Sequence, residues 1–259
     1  MTEATGKPII ENADLQELFK VLRDNESPSV NELLAVVKQI SAVEKHLQAA
    51  VDNLAAMRLQ LADMEARNHP VQSTLEGSVI TMQNHVLHLR DRVMELKNNF
   101  IEGCKNAITA FKEQGISALD DVVKFLHIKP ALELLRQDLD KTIKSDEKTI
   151  AKIEVAAAEY HEAGRHFKNV GRIIMGKEAI QEAKPIGPLA KALTAPYRAE
   201  RKCFAAMKGC TEKAIGSLAW LEDRAKPSIQ GTIQKYSDQI SEETKSIPTP
   251  QLAISHDSR

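Results

Sequence analysis

The feature that most constrains the fold is a heptad pattern between residues 33 and 64. Ten positions at alternating spacings of three and four residues are all apolar, and the residues between them are mostly polar. These positions are Leu33, Val36, Ile40, Val43, Leu47, Ala50, Leu54, Met57, Leu61 and Met64. A period of 3.5 residues is typical of a coiled-coil seam on one helix face.

A second seam follows after a break at Asn68–Pro70. Its positions are all apolar or small: Leu75, Val79, Met82, Val86, Leu89, Val93, Leu96, Phe100, Gly103, Ala107 and Ala110. Because proline fits only the first turn of a helix, the chain is predicted to turn at 68–70 and fold back as an antiparallel hairpin over residues 29–114. In this register Leu54 faces Val86. The alternative is that each helix pairs with another chain.

The remaining chain also shows helical spacing without sustained alternation, so the predicted fold class is all-α. The hairpin is preceded by a leader and short helix (1–28) and followed by a helical module (115–245). Helices in this module are predicted at 117–127, 130–170, 188–194, 196–225 and 227–245, before a disordered tail at 246–259. The seam of the 130–170 helix includes Tyr160 and Phe167, and its frame slips near Thr142–Asp146.

Composition gives no sign of an enzyme or of a membrane span. Aromatic residues make up 4% of the 259 residues, which is low for an enzyme core, and the net charge of −1 implies no partner. The three cysteines show no metal-type spacing, and Cys203 and Cys210 are expected to be small core residues. With neither a signal-peptide pattern nor a long apolar run, we expect a cytoplasmic protein.

One short motif resembles a phosphate-binding loop. Gly171–Lys177 matches the spacing GxxxxGK, whose backbone N–H groups can cradle phosphates. However, Glu178 stands where a magnesium-binding Ser or Thr is needed, and a helical pattern precedes the motif instead of a strand. We therefore expect a helix end that packs on its neighbours, with the apolar residues 173–175 buried.

The titratable side chains form no recognisable catalytic or metal-binding motif. His85 and His88 flank the second seam, and no acidic partners stand beside them in the sequence. A further set on one helix face consists of Glu159, Glu162 and His166. The two Glu-x-x-His motifs of a di-iron bundle are absent, as is the nucleophile elbow of a hydrolase. The prediction is that the chain has no catalytic residues, bound metal or cofactor.

A basic segment is the only feature that implies a partner. Residues 165–202 contain nine basic and three acidic residues, a net charge of +6. The candidate contacts for an anion or nucleic acid are Arg165, Lys168, Arg172, Lys177, Lys191, Arg198, Arg201 and Lys202. Such helices suit contact with a phosphate backbone. The favoured alternative is a solvated face that balances acidic residues of the hairpin.

Two stretches, Ile40–Ala62 and Lys191–Asp223, carry a resemblance to a known family. With the strings TAPYRAER at 194–201 and AIGSLAWLE at 214–222, they resemble an uncharacterised all-helical family of mobile and conjugative elements in gut Firmicutes. The resemblance implies an accessory protein of a mobile element. It implies no activity and no functional residues.

These observations favour a non-enzymatic helical interaction or scaffold protein with one or more protein partners. A buried set of ionisable groups facing one cavity would argue against this hypothesis. The second hypothesis is a nucleic-acid-associated protein that uses residues 165–202, and the third is a membrane-active helical hairpin. Self-association remains open, because the third long helix can complete a bundle within the chain or pair with a second copy.

Overall fold

A computed structural model describes residues 6–66, 72–116, 126–180 and 187–225. After a short 3-10 helix at Ile9–Glu11, the chain forms five α-helices within these ranges. They are α1 (Ala13–Asp24), α2 (Val30–Ala66), α3 (Gln72–Gln114), α4 (Lys129–Ile174) and α5 (Pro188–Ala225). These ranges contain no strand, and the all-α prediction is confirmed.

Local sequence signals determine several helix ends. Asn12 caps α1, since its Oδ1 accepts a hydrogen bond from the backbone N–H of Leu15 at 3.1 Å. Gly115 ends α3 with φ = +72°, a left-handed conformation that glycine adopts without steric cost. Pro130 lies in the first turn of α4, where its missing N–H has no intrahelical partner to lose.

The four long helices form an antiparallel bundle in which each helix packs against two others. In order around the bundle, the helices are α2, α3, α4 and α5, and α5 returns to pack against α2. Along α4 and α5 the ion-pair partners run in opposite directions: Asp140–Lys208, Glu147–Arg201 and Glu154–Arg198. Helix α5 of the predicted helical module thus packs along α2 of the predicted hairpin. The most extensive neighbour of α2 is α5. A heptad seam identifies an apolar helix face but does not indicate which helix packs against it.

Helices α2 and α3 are antiparallel neighbours. Lys97 Nζ lies 2.9 Å from Glu44 Oε1, and Arg58 hydrogen-bonds to the side chain of Gln83. Both contacts run in the direction of the predicted hairpin. The pairing of individual apolar residues stays a prediction, and the turn at 68–70 lies outside the described residues.

One apolar cluster extends through all five helices. It contains seam residues from Leu33 to Met57 and from Val79 to Ala107, the apolar face of α1 and the inner faces of α4 and α5, with Phe100 and Phe204 among its fully buried side chains. The cluster joins residues of the predicted hairpin to residues of α4 and α5. The predicted segments at 117–125, 227–245 and 246–259 lie outside the described residues.

Helix α5 is continuous where two helices were predicted. Pro196 lies inside it, so the predicted split at Ala195 is wrong. Buried residues lie on both sides of the proline, including Ala190 before it and Tyr197 after it. Burial of this face against α2 and α4 outweighs the loss of one backbone hydrogen bond.

Helix α4 also differs from the prediction in two ways. Its frame does not slip at Thr142–Asp146, because both residues are buried at core positions that continue the spacing of Leu135 and Leu139. Thr142 and Asp146 are polar residues within the apolar face of α4, but they keep its helical spacing. At the other end of α4, Tyr160 and Phe167 were predicted to be part of the seam, but they are 78% and 85% exposed.

Candidate functional site

Three ionisable side chains from three different helices meet inside the bundle. His85 of α3, Asp146 of α4 and Glu200 of α5 each place one nitrogen or oxygen atom within 4.8 Å of the other two. His85 Nδ1 is 3.6 Å from Asp146 Oδ1 and 3.6 Å from Glu200 Oε1. Asp146 is fully buried, and Glu200 is 4% exposed. We call this set the buried triad.

Five polar atoms of the buried triad have no hydrogen-bond partner within the part of the chain that the structure describes. This holds for His85 Nδ1, for both carboxylate oxygens of Asp146 and for both of Glu200. The distances of 3.6 Å from the imidazole exceed hydrogen-bond length. Since a buried carboxylate without partners costs several kcal/mol, the triad needs a compensating positive charge, either a proton or a cation.

The surroundings shift all three pKa values. Burial raises the pKa of Asp146 to about 7, and the nearby Glu200 carboxylate adds to the rise. Burial also raises the pKa of Glu200, although His85 opposes this. The Glu200 carboxylate, with a smaller effect from Asp146, raises the pKa of His85 against the effect of burial. Two carboxyl groups that resist ionisation thus share a small volume with an imidazole that favours the charged form.

Tyr197 lies one turn before Glu200 on α5 and borders the same region. It is 4% exposed, and its side chain hydrogen-bonds to Ser78 of α3. Burial raises the pKa of Tyr197, and the charges on Glu200 and Asp146 raise it further. The hydroxyl is therefore neutral at physiological pH and remains within hydrogen-bond reach of Ser78.

A second histidine, one turn further along α3, has the partners that the buried triad lacks. His88 Nε2 is 3.0 Å from Asp138 Oδ2, which also accepts a hydrogen bond from Arg92 Nε at 2.9 Å. Lys141 Nζ is 3.3 Å from the other oxygen of Asp138. Burial alone would raise the pKa of Asp138, but hydrogen bonds from Arg92, His88 and Lys141 lower it.

His85 and His88 therefore have acidic partners in the structure, although none stands beside them in the sequence. In a bundle, the residues that flank one seam face the second neighbouring helix, and here the acidic partners come from α4 and α5. A sequence signal existed: Asp146 and Glu200 occupy core positions in otherwise apolar frames. Charged residues are rarely buried unless they are paired or bind a metal.

The phosphate-loop motif forms a helix terminus. Helix α4 ends at Ile174, and Gly176 has φ = +71°. The N–H of Lys177 bonds back to the carbonyl of Arg172 at 2.8 Å, which is the helix-ending pattern that a left-handed glycine permits. The prediction of a helix end is confirmed, but the expected packing is wrong, since residues 173–175 are 64% to 80% exposed.

The last part of α4 extends past its described neighbours. Gly187, just before α5, lies against His161, so residues 165–174 run beyond the start of α5. The chain then turns back, and the side chain of Asn169 bonds to both the N–H and the C=O of Ile180 at 2.7 and 3.0 Å. Residues 177–180, which we call the return segment, cover the polar side of the helix.

Large apolar side chains lie on the opposite side of this helix end. Tyr160, Phe167, Val170 and Ile174 follow heptad spacing and are 58% to 85% exposed. We call these four residues the α4 apolar stripe. Exposed large side chains at coiled-coil spacing are typical of a helix that lacks its partner.

The eight basic candidates fall into two groups. Arg165, Lys168, Arg172 and Lys177 lie at the end of α4, and Lys191, Arg198, Arg201 and Lys202 lie along α5. Three of the arginines pair with acidic residues of α4: Arg165 with Glu162, Arg198 with Glu154 and Arg201 with Glu147. These acidic partners come from α4 and not, as expected, from the hairpin.

The remaining candidates occupy ordinary positions. His166 Nε2 is 3.3 Å from Glu162 on the surface of α4, and Glu159 is exposed. Cys203 and Cys210 are partly buried, and burial raises the pKa of both thiols, as expected for packing residues. None of the helices within the described residues is both long and apolar enough to cross a bilayer.

Comparison with known proteins places the chain in a family. A family of unknown function, DUF6674, matches residues 11–253. No curated protein and no solved structure matches the chain. The expected resemblance to an uncharacterised family is thus confirmed at that level, while an origin in mobile elements stays a prediction. Since the match covers most of the sequence, the chain belongs to the DUF6674 family of unknown function.

Proposed function

We propose that this protein is a non-enzymatic helical interaction protein and that the α4 apolar stripe is its contact surface. The observation that carries the proposal is the exposure of Phe167 and Ile174, 85% and 80%, at heptad spacing on a helix end that extends past α5. Burying such side chains gains about 25 cal/mol per Å² of apolar surface, which favours association.

The chemistry of this helix end indicates the kind of partner. Lys168 is exposed at this helix end, while Arg165 and Arg172 lie on the side covered by the return segment. We expect a helix with an apolar seam and with an acidic group that can reach Lys168, because complementary charges favour one partner over another. A second copy of this chain is one such candidate.

The buried triad bears on the alternative of an enzyme. A buried set of ionisable groups that face one cavity would argue against a scaffold protein. However, the three donors lie within 4.8 Å of one another, and Asp146 is fully buried. The three donors are close enough to hold a single ion between them, which is compatible with a non-enzymatic protein.

Two further expectations stay proposals. An association with mobile elements rests on the resemblance of 194–201 and 214–222 alone. A cytoplasmic location is supported by the three free cysteines at positions 104, 203 and 210.

Nucleic-acid binding is the second candidate function. It is favoured by the exposed Lys168, Lys177, Lys191 and Lys202 and opposed by the internal ion pairs of Arg198 and Arg201. Retention on heparin at low salt that is lost at moderate salt would support it. Absence of retention at low salt would remove it.

Site-specific photo-crosslinking in the native host tests the contact surface. A benzophenone amino acid at position 167 is expected to give a discrete crosslinked species. The matched control is position 152, where Lys152 is exposed on α4 within the bundle. Light scattering of the purified chain distinguishes a second copy from a different protein.

The substitution Phe167→Glu together with Ile174→Glu should abolish the crosslinked or dimeric species without changing the helical content. A strictly monomeric chain that gives no crosslink at position 167, or one equal to that at position 152, would refute this assignment.

A further inference from the structure

We propose that His85, Asp146 and Glu200 form a binding site for one divalent transition-metal ion. Each residue comes from a different long helix, and the three donor atoms converge in the bundle interior. An ion at this point would join α3, α4 and α5 by bonds that the apolar core does not supply. The site is separate from the α4 apolar stripe.

The distances between donors suit a small ion. Bonds of about 2.0–2.2 Å from nitrogen and oxygen place neighbouring ligand atoms roughly 3.0–3.5 Å apart. His85 Nδ1 lies 3.6 Å from an oxygen of each of the two carboxylates, so only small side-chain shifts are needed to complete the site.

The partnerless atoms are the second observation that points to a cation. Both oxygens of Asp146 and both of Glu200 are buried without hydrogen bonds from any described residue. A structure that buries five polar atoms of three residues and satisfies none of them is unusual, because buried polar groups are normally paired. A dication satisfies these atoms and balances two carboxylate charges at once.

The donor set indicates the class of metal. One imidazole nitrogen and two carboxylates suit Zn²⁺, Mn²⁺, Fe²⁺ or Co²⁺. Calcium prefers six to eight oxygen ligands, and Cu⁺ prefers thiolates. The nearest candidate thiol, Cys203, has a pKa raised by burial and contacts Asn53 instead.

The neighbouring pair of His88 and Asp138 provides a matched control. It has the same residue types and a similar position between α3 and α4, but Arg92 and Lys141 already neutralise its carboxylate. An ion would have to displace these cations. The proposed site is therefore specific to the buried triad.

The test uses Co²⁺ as a spectroscopic probe on the full-length protein after treatment with EDTA. We expect one equivalent of Co²⁺ to bind with d–d absorption in the visible range, and Zn²⁺ to displace it and raise the thermal midpoint. Asp146→Asn and Glu200→Gln preserve side-chain size and are each expected to weaken Co²⁺ binding at least tenfold. His88→Gln should change it less than twofold.

Circular dichroism of every variant separates lost binding from lost folding. If Asp146→Asn fails to fold, Glu200→Gln and the wild-type titration still decide the question. Absence of Co²⁺ and Zn²⁺ binding to the folded wild type would overturn the proposal and leave a protonated His85 as the charge that compensates the triad. Equal binding by wild type and both triad variants would also overturn it.

Discussion

Glu44 and Lys97 form a buried ion pair that joins α2 to α3. Glu44 Oε1 and Lys97 Nζ are 2.9 Å apart, and each side chain is 8% exposed. Glu44 Oε2 also accepts a hydrogen bond from the N–H of Ile9 at 3.1 Å, and Lys97 donates one to the carbonyl of Lys7. The same pair thus connects two long helices and holds the N-terminal segment against them.

Removal of one partner of this pair is expected to destabilise the fold strongly. Glu44→Leu removes the carboxylate that lies 2.9 Å from the buried Lys97 and should lower the free energy of unfolding by about 3–5 kcal/mol. Urea unfolding followed by circular dichroism measures the change. The double variant with Lys97→Met should be more stable than Glu44→Leu alone. Additive losses in the double variant would show that the two charges act independently.

A second prediction concerns the proline inside α5. Pro196 lacks the N–H that would bond to the carbonyl of Ala192, and an interior proline costs about 3 kcal/mol relative to alanine. Pro196→Ala is expected to raise the free energy of unfolding by about 1–3 kcal/mol. As a control, Ala205→Pro at an exposed position of the same helix should lower it. A less stable Pro196→Ala variant would mean that packing of α5 requires the proline geometry.

Much of the fold could be predicted from local signals. Heptad spacing predicted α2 and α3, and the helix ends also carry local signals, with Asn12 at the start of α1 and Gly115 after the end of α3. These signals act within a few residues of one another. In contrast, α2 and its main neighbour α5 are separated by more than a hundred residues in the sequence. Apolar spacing within one helix does not indicate which other helix packs against its apolar face.

The buried triad could be predicted only in part, for a related reason. Asp146 and Glu200 stand at core positions, so each was visible as a polar interruption of an apolar frame. Their convergence on His85 depends on the axial alignment of three helices. Side chains 61 and 54 residues apart in sequence meet only once that alignment is known.

The two glycines of the GxxxxGK motif provide a third prediction. Gly171 lies in the interior of α4 with open space where a Cβ atom would lie, whereas Gly176 has a left-handed backbone. Gly171→Ala should therefore stabilise the protein by about 0.5–1 kcal/mol, and Gly176→Ala should destabilise it by about 1 kcal/mol. Thermal unfolding of the two variants checks these opposite signs. Destabilisation by both would contradict a plain helix with a glycine at its end.

The pH dependence of stability is the last prediction, made for the metal-free protein in EDTA. Burial raises the pKa of Asp146 to about 7 in the folded chain, Glu200 and Glu147 add to the rise, and His85 and Arg201 oppose it; when unfolded, the group ionises near 3.8. Between these values the unfolded state binds fewer protons than the folded state. The stabilisation that the Asp146 proton contributes is therefore fully present below pH 3.8 and is lost as the pH rises to about 7. The loss is at most about 1.4 kcal/mol per pH unit. The pKa of His85 is raised above 6.5, mainly by Glu200, so its protonation adds a further loss of stability as the pH rises above 6.5. Asp146→Asn removes one titrating group, so its urea-unfolding free energies at pH 5, 6, 7 and 8 should fall less steeply than those of the wild type; parallel profiles would show that Asp146 ionises normally in the folded chain.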